Sequence, residues 1–362
     1  MLKSRIFKVM GVAALFTTII IAGCGGDEEK SKPLTERIIE DTVEAIGNEM
    51  VDAAFAQKAD YLAAEPAELN ITEAADIDFN EVNDILVNDS LLYAAYDEGL
   101  VIYDFTMKKS TLLDTGERFN ALAFYDGELY AGGEKLYNVK GQELIPADAE
   151  FEGEVTALYS DSFRLLIGTR QGLFSKSPFG QEKLMDDVAV NDLQFDNDGL
   201  WVATDGEGLY RWDGDRFRQR YLLRDTTIFD TVYDLDFNRD LLYVAAKTGF
   251  FVFDGGNWEH WTDADGLPAT GVKAVNAGDW MVQVGTEKGM VAYFNHDLYP
   301  VKKLDTVEAN VIRLLDKKVI VGTRQGEVLM KAGNFVTALI EQTEPEGTPE
   351  VFSLADEETP AE

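Results

Sequence analysis

The residues able to do acid–base or metal chemistry are few and scattered in this sequence. It holds two histidines, His260 and His296, and one cysteine, Cys24, among 362 residues. A metal site or a histidine-activated nucleophile needs several such groups converging in one cleft. A lone cysteine allows neither an intrachain disulfide nor a cysteine-based metal cluster. Acid pairs such as Asp186 with Asp187, or Asp234 with Asp236, have the residue type that general acid–base work uses. In a chain with 66 Asp and Glu, however, such pairs arise without catalytic purpose. Asp205-Gly206, Asp213-Gly214 and Asp254-Gly255 suit strand-to-strand hairpins, because no helix follows them as a phosphate loop would require. The expectation is therefore a protein with no cofactor, no metal and no catalytic residues, which binds something.

Against the 66 acidic residues stand 32 Lys and Arg, a net charge of -34. Such a surface repels phosphate backbones and anionic lipid head groups, so nucleic acid is not an expected partner.

The first residues read as an address. Lys3, Arg5 and Lys8 precede an uncharged, mostly apolar stretch from Val9 to Ile21, too short for a typical membrane span and suited to a signal peptide over 1–23. Ile21-Ala22-Gly23-Cys24 resembles the bacterial lipobox, whose cysteine is acylated and becomes the new N-terminus. The resemblance implies a lipid anchor on Cys24, and a multiply acylated cysteine holds a protein on a membrane. With Gly25 after the cysteine, the expected location is the outer membrane in a Gram-negative host. In a Gram-positive host it is the outer face of the cytoplasmic membrane.

Residues 24–32 read as a tether. Over 33–65, Ile39, Val43, Ile46, Met50 and Ala53 recur at alternating spacings of four and three, the pattern of a short helical segment with one apolar stripe. That stripe suits docking on the folded domain, a free stalk or helix pairing. Residues 341–362 carry eight acidic residues, no basic ones and three prolines, the composition of a disordered acidic tail.

Between them, over 66–340, an apolar run ending in two small residues recurs seven times. The first small residues are Ala94, Gly132, Gly168, Ala203, Ala245, Gly285 and Gly322. Steps of 35 to 42 residues fit a four-stranded propeller blade. A second column lies twelve residues earlier at Asn120, Thr156, Asn191, Tyr233, Lys273 and Asn310, with Asn83 eleven residues before Ala94. The fold class is thus all-β, a seven-bladed β-propeller with a short N-terminal helical segment. The ring closes either with strands of the last repeat through Phe335 to Ile340, or with an outer strand taken from Leu69 to Phe79.

Two repeats carry a family resemblance. The run from Gly199-Leu200-Trp201-Val202-Ala203-Thr204-Asp205-Gly206 to Trp212-Asp213-Gly214 resembles the two-component regulator propeller repeat. So does Gly249-Phe250-Phe251-Val252-Phe253-Asp254-Gly255 with Trp258 to Trp261, running into Ala264-Asp265-Gly266-Leu267-Pro268. The resemblance implies a propeller that binds ligands outside the cytoplasm, without the kinase that such sensors feed.

Topology then ranks the surfaces. In each blade the D-to-A and B-to-C connections share one face, and the A-to-B and C-to-D turns share the other. The second face carries Asp89, Asp126, Asp161, Asp196, Asp198, Asp240, Asp279 and Asp316 and is expected to be acidic. On the first face the hairpins carry Arg170, Lys247, Lys288 and Arg324, and Lys273 and Tyr233 begin A strands near the axis. Lys247, Lys273, Lys288 and Arg324 are expected to form a basic arc, partly offset by Glu287. Asn83, Asn120, Asn191 and Asn310 would offer neutral hydrogen bonds around the ring. The expected partner is an envelope protein or an anionic extracytoplasmic ligand. The alternative is a propeller enzyme of the lyase, lactonase or glycan-cleaving kind.

Overall fold

The computed structural model describes residues 67–68, 79–113, 116–161, 163–220, 231–278, 281–294, 296–301, 303–315 and 318–332. The expected signal peptide, Cys24, the tether, the helical segment, the acidic tail and Phe335 to Ile340 lie outside the described residues.

Seven four-stranded antiparallel sheets follow one another along the chain, each ordered A-B-C-D from the inside outwards. The innermost A strands are Val82–Asn88, Phe119–Tyr125, Val155–Ser160, Val190–Phe195, Val232–Asn238, Val272–Ala277 and Ala309–Leu315. Each adjoins the A strands of its two neighbours, and the seventh adjoins the first, so the ring is closed.

The two sequence columns meet in one local geometry. Every A strand is bulged at its second residue, the column of Asn83, Asn120, Thr156, Asn191, Tyr233, Lys273 and Asn310. A bulge leaves one residue out of the ladder and re-aims its side chain. Just past the bulge, the A strand pairs with the small residue of strand B: Asp84 with Ala95, Ala121 with Gly132, Asp192 with Ala203. In blade 1 the small residue is therefore Ala95, not Ala94, and the irregular offset of eleven becomes twelve.

The small column exists because the next blade's bulge-flanking residue packs directly on it. A Cβ on Gly132 would collide with the Val155 side chain, and one on Gly322 would lie 2.5 Å from Val82 Cγ1. The hairpin glycines have a different reason. Gly249 sits at φ +148°, and a Cβ there would come within 2.5 Å of the Trp261 carbonyl oxygen, so both conformation and space require glycine. The valines wedged between blades, such as Val82, Val190 and Val232, are fully buried.

Closure uses the N-terminal part of the domain. The outer strand of blade 7 is Ala67–Glu68, paired antiparallel with strand C of that blade, Val328–Ala332. It lies just upstream of the Leu69-to-Phe79 stretch that the sequence suggested. Blade 7 is tied to blade 1 by side chains as well. Arg313 pairs with Asp84 at 2.7 Å and donates to the Ile85 carbonyl at 3.0 Å, and the Tyr96 hydroxyl donates to the Gly326 carbonyl at 3.3 Å.

Candidate functional site

The bulge residues form a belt that joins blade to blade. Asn83, Asn120 and Asn191 each donate from Nδ2, at 2.8 Å, to the carbonyl of Phe119, Val155 and Val232 respectively, in the next blade. Thr156 does the same to Val190 through its hydroxyl, and Asn310 donates to Glu81 at 2.7 Å. Asn83 and Asn120 use their second hydrogen on Asp97 and Glu154. The asparagine NH2 groups expected to greet a ligand are thus engaged within the ring. At blades 5 and 6 the belt changes chemistry: the Lys273 ammonium stands 3.8 Å above the Tyr233 ring, a cation–π contact.

The basic hairpins are less basic than the sequence suggested. Three of these hairpin residues are hydrogen-bonded through their backbone to the residue sixteen positions earlier, Arg170 to Glu154, Lys247 to Thr231 and Arg324 to Glu308, whereas in blade 6 that position is Glu287, bonded to Gly271, and Lys288 follows it. Where the earlier residue is glutamate the charges cancel, with Arg170 and Glu154 at 2.9 Å and Arg324 and Glu308 at 3.1 Å. Lys273 has Glu287 at 3.4 Å. Lys247 and Lys288 are exposed and make no ion pair with the described residues. The cations of the expected four-residue arc that lack a glutamate partner are thus Lys247 and Lys288, in the hairpins of blades 5 and 6, the blades whose A strands carry Tyr233 and Lys273.

A second group of polar side chains lies along the axis, and the sequence did not single it out as a set. Asp84, Asp192 and Asp234 follow the bulge residue in blades 1, 4 and 5, and Asp236 lies two residues further. An innermost strand is an edge strand, with inward amides that need partners. Each carboxylate supplies one from the preceding blade. The amides of Leu122, Leu235 and Val275 donate to Asp84, Asp192 and Asp234 at 2.8 Å, and that of Ala277 donates to Asp236 at 2.7 Å. Burial pushes Asp192 well above the usual carboxylate range, and the charge of Asp234 adds to it. Asp234, hydrogen-bonded to Asp192, is pushed up to about 6 by burial against the pull of Arg313. Burial also raises Asp84 and Asp236. Arg313 is the guanidinium that answers all four carboxylates.

The histidines lie away from the axis, as the register implies. His260 is in strand D of blade 5, Trp258–Trp261, stacked on Phe251 at 4.2 Å. His296 sits in the C-to-D turn of blade 6, with Nδ1 2.7 Å from Glu259 and 3.3 Å from the Tyr293 hydroxyl. Among the described residues no three His, Cys, Asp or Glu are placed to hold a metal ion. Asp213 and Asp254 cap their own turns, each accepting two backbone amides, which is the hairpin role read from Asp-Gly.

No family model matches the sequence, and no curated protein does. Solved structures do match, at the level of fold. The chain is similar to the extracellular domain assigned to a hybrid two component system of B. thetaiotaomicron, with a TM-score of 0.60 and 16% identity over 74% of this chain and 39% of that one. It thus spans about two fifths of that extracellular domain's length. It is similar to virginiamycin B lyase from Staphylococcus aureus, with a TM-score of 0.60 and 11% identity, covering 74% of this chain and 98% of the other. The WD40 propeller domain of Doa1 matches with a TM-score of 0.58 and 15% identity, over 74% of this chain and 96% of that domain. At these identities the likeness establishes the seven-bladed propeller and leaves activity to the residues of this chain.

Proposed function

We propose that this chain is a binding or scaffold module of the cell envelope, anchored through Cys24, which captures a carboxylate-bearing ligand or an acidic loop of a partner protein on the B-to-C hairpin face. The observation that carries the reading is the sector of blades 5 and 6. There Lys247 and Lys288 stand exposed without ion pairs among the described residues, beside a lysine held over an aromatic ring. Four other cations of this face, Arg118, Lys135, Arg170 and Arg324, are matched to carboxylates. Exposed unpaired lysines steer an anionic partner toward the channel mouth.

An enzyme reading has one feature in its favour. Asp192 and Asp234 form a hydrogen-bonded carboxyl pair at the axis, and the propeller is also the fold of a lyase. Binding is the better supported reading, because each of these carboxylates accepts a backbone amide of the next blade and so works in holding the ring.

The test is photo-crosslinking in intact cells from a photoreactive residue at position 247 or 288, compared with position 89 or 126 on the opposite face. Adducts formed from 247 and 288 alone support the reading. Adducts from 89 and 126 alone refute it.

A further inference from the structure

In blade 6 the charges of strand entry and hairpin are exchanged. Blades 3 and 7 place a glutamate, Glu154 or Glu308, just before strand A, and an arginine, Arg170 or Arg324, sixteen residues later in the hairpin. At the same offset blade 6 has Gly271 before strand A and Glu287 in the hairpin, and its cation, Lys273, stands in strand A itself. The backbone is alike in all three. The hairpin amide donates to the entry carbonyl, Arg170 to Glu154 at 3.0 Å, Arg324 to Glu308 at 3.2 Å and Glu287 to Gly271 at 3.1 Å.

The exchange leaves the blade 6 carboxylate loosely held. Glu154 and Glu308 are 26% and 18% exposed and meet their arginines at 2.9 and 3.1 Å, whereas Glu287 is 48% exposed and reaches the Lys273 ammonium at 3.4 Å. An ion pair this exposed contributes little, because water screens it and two long side chains must be ordered to form it. The ammonium, by contrast, is set in place. Only 23% of the Lys273 side chain is exposed, and its Nζ stands 3.8 Å from the centre of the Tyr233 ring.

Gly271 makes room for the carboxylate. A Cβ there would lie 2.8 Å from Glu287 Cδ and 3.0 Å from both carboxylate oxygens. Its φ lies outside the left-handed region, so the close approach of Glu287, and not the backbone conformation, is what glycine serves here. A second cation answers the same position from the next blade. The Arg324 guanidinium is raised by its hydrogen bond to Glu308 and by the charges of Glu308, Glu81 and Glu287.

We propose, on the basis of the hairpin-face reading, that the space over Gly271 beside Lys273 is the carboxylate subsite of that face. Glu287 fills it as an internal stand-in, and a glutamate or aspartate side chain of an acidic protein segment displaces Glu287 from Lys273. The present occupant selects this chemistry, since a glutamate side chain already fits over Gly271 and meets the lysine. Displacement is cheap because the pair is exposed and long. Because Glu287 is tethered, a single free carboxylate competes poorly, and a segment bringing several carboxylates competes well.

The experiment measures binding of fluorescein-labelled hexaglutamate to the full chain by fluorescence anisotropy at low salt. Wild type is compared with Glu287→Gln, Lys273→Gln, the two combined, and Glu134→Gln, which removes the same charge at the same register position in the hairpin of blade 2. Melting curves confirm that each variant is folded. The expected result is that Glu287→Gln tightens binding about three- to fivefold, that Glu134→Gln changes it less than about 1.5-fold, and that Glu287→Gln has no effect on the Lys273→Gln background. Binding that the Lys247→Glu, Lys288→Glu variant loses but that Glu287→Gln leaves unchanged keeps the hairpin-face reading and overturns this inference. Equal tightening by Glu287→Gln and Glu134→Gln, or tightening that persists without Lys273, overturns it too, since net charge alone would then act. Trigalacturonate displacing the label at a lower concentration than unlabelled hexaglutamate overturns the assignment to a protein segment. No binding by any form overturns the hairpin-face reading and this inference together.

Discussion

Replacing Asp192 by asparagine should stabilise the protein at neutral pH and flatten its pH dependence. Asp192 and Asp234 lie on neighbouring innermost strands, hydrogen-bonded to each other, and Asp192 also accepts the Leu235 amide at 2.8 Å. Two carboxylates in one buried site cannot both ionise cheaply, so the folded protein keeps a proton that the unfolded chain has lost. Because the folded values are raised, the native state binds more protons than the unfolded state above about pH 4. The contribution of this pair is then fully favourable only at low pH, and it is lost as pH rises toward and past 6. A rise from 3.8 to about 6 for Asp234 corresponds to about 3 kcal/mol as an upper bound, at ~1.4 kcal/mol per unit. Asp192 and Asp234 are only half-buried, and solvent screening together with the sharing of one proton reduces this to about 1–2 kcal/mol. In Asp192→Asn the new carboxamide oxygen would still accept the Leu235 amide, and its NH2 would donate to Asp234 without adding charge. Melting curves from pH 5 to 8 check it. Burial also raises Asp84 and Asp236, so the informative quantity is the difference between variant and wild type, which should grow with pH to a few degrees in Tm. A variant less stable than wild type at pH 7.5, with an unchanged slope, would show that the pair is ionised and the reasoning wrong.

Other outcomes follow from the same geometry. Gly322→Leu should destabilise by ~1–3 kcal/mol or more, because its Cβ alone would press within 2.5 Å of Val82 at the seam between blades 7 and 1; chemical denaturation reads it. Gly285→Leu should do likewise against Ala309, whose Cβ would be 2.9 Å away. Arg313→Met should destabilise more at pH 8 than at pH 5, since it leaves Asp84 buried without its 2.7 Å partner and protonation of Asp84 relieves that cost. Cys24→Ala should abolish labelling by an acyl precursor and release the protein from membranes; labelling that survives the change would contradict the anchor.

The propeller is legible because its register is written in small residues. The Ala or Gly column and the column twelve residues before it mark the two strands nearest the axis, where packing tolerates least. The closing strand is not, because Ala67–Glu68 is too short to show any alternation. The asparagine column is visible but its role is not: an exposed-looking Asn at a repeat position reads the same whether it meets a ligand or, as Asn83 does, the carbonyl of the neighbouring blade. The pairing of Arg324 with Glu308 carries a sequence signal, the offset of sixteen residues between hairpin and strand entry, which is readable once the hairpin register is known. The axial carboxylates are hidden by the number of acids. Their common place directly after the bulge residue, at Asp84, Asp192 and Asp234, distinguishes them only when the bulge itself is seen.

The central claim, capture of an anionic partner at blades 5 and 6, is tested most directly by quantitative affinity capture from intact cells after crosslinking. Wild type is compared with the Lys247→Glu, Lys288→Glu double variant and with an Asp89→Lys, Asp126→Lys variant of the opposite face. The account expects the lysine reversal to deplete the recovered partner about tenfold, with a loss that salt reproduces in the wild type, while the aspartate reversal recovers it at the wild-type level. Undiminished recovery with the lysine reversal, together with release by the aspartate reversal, would contradict it.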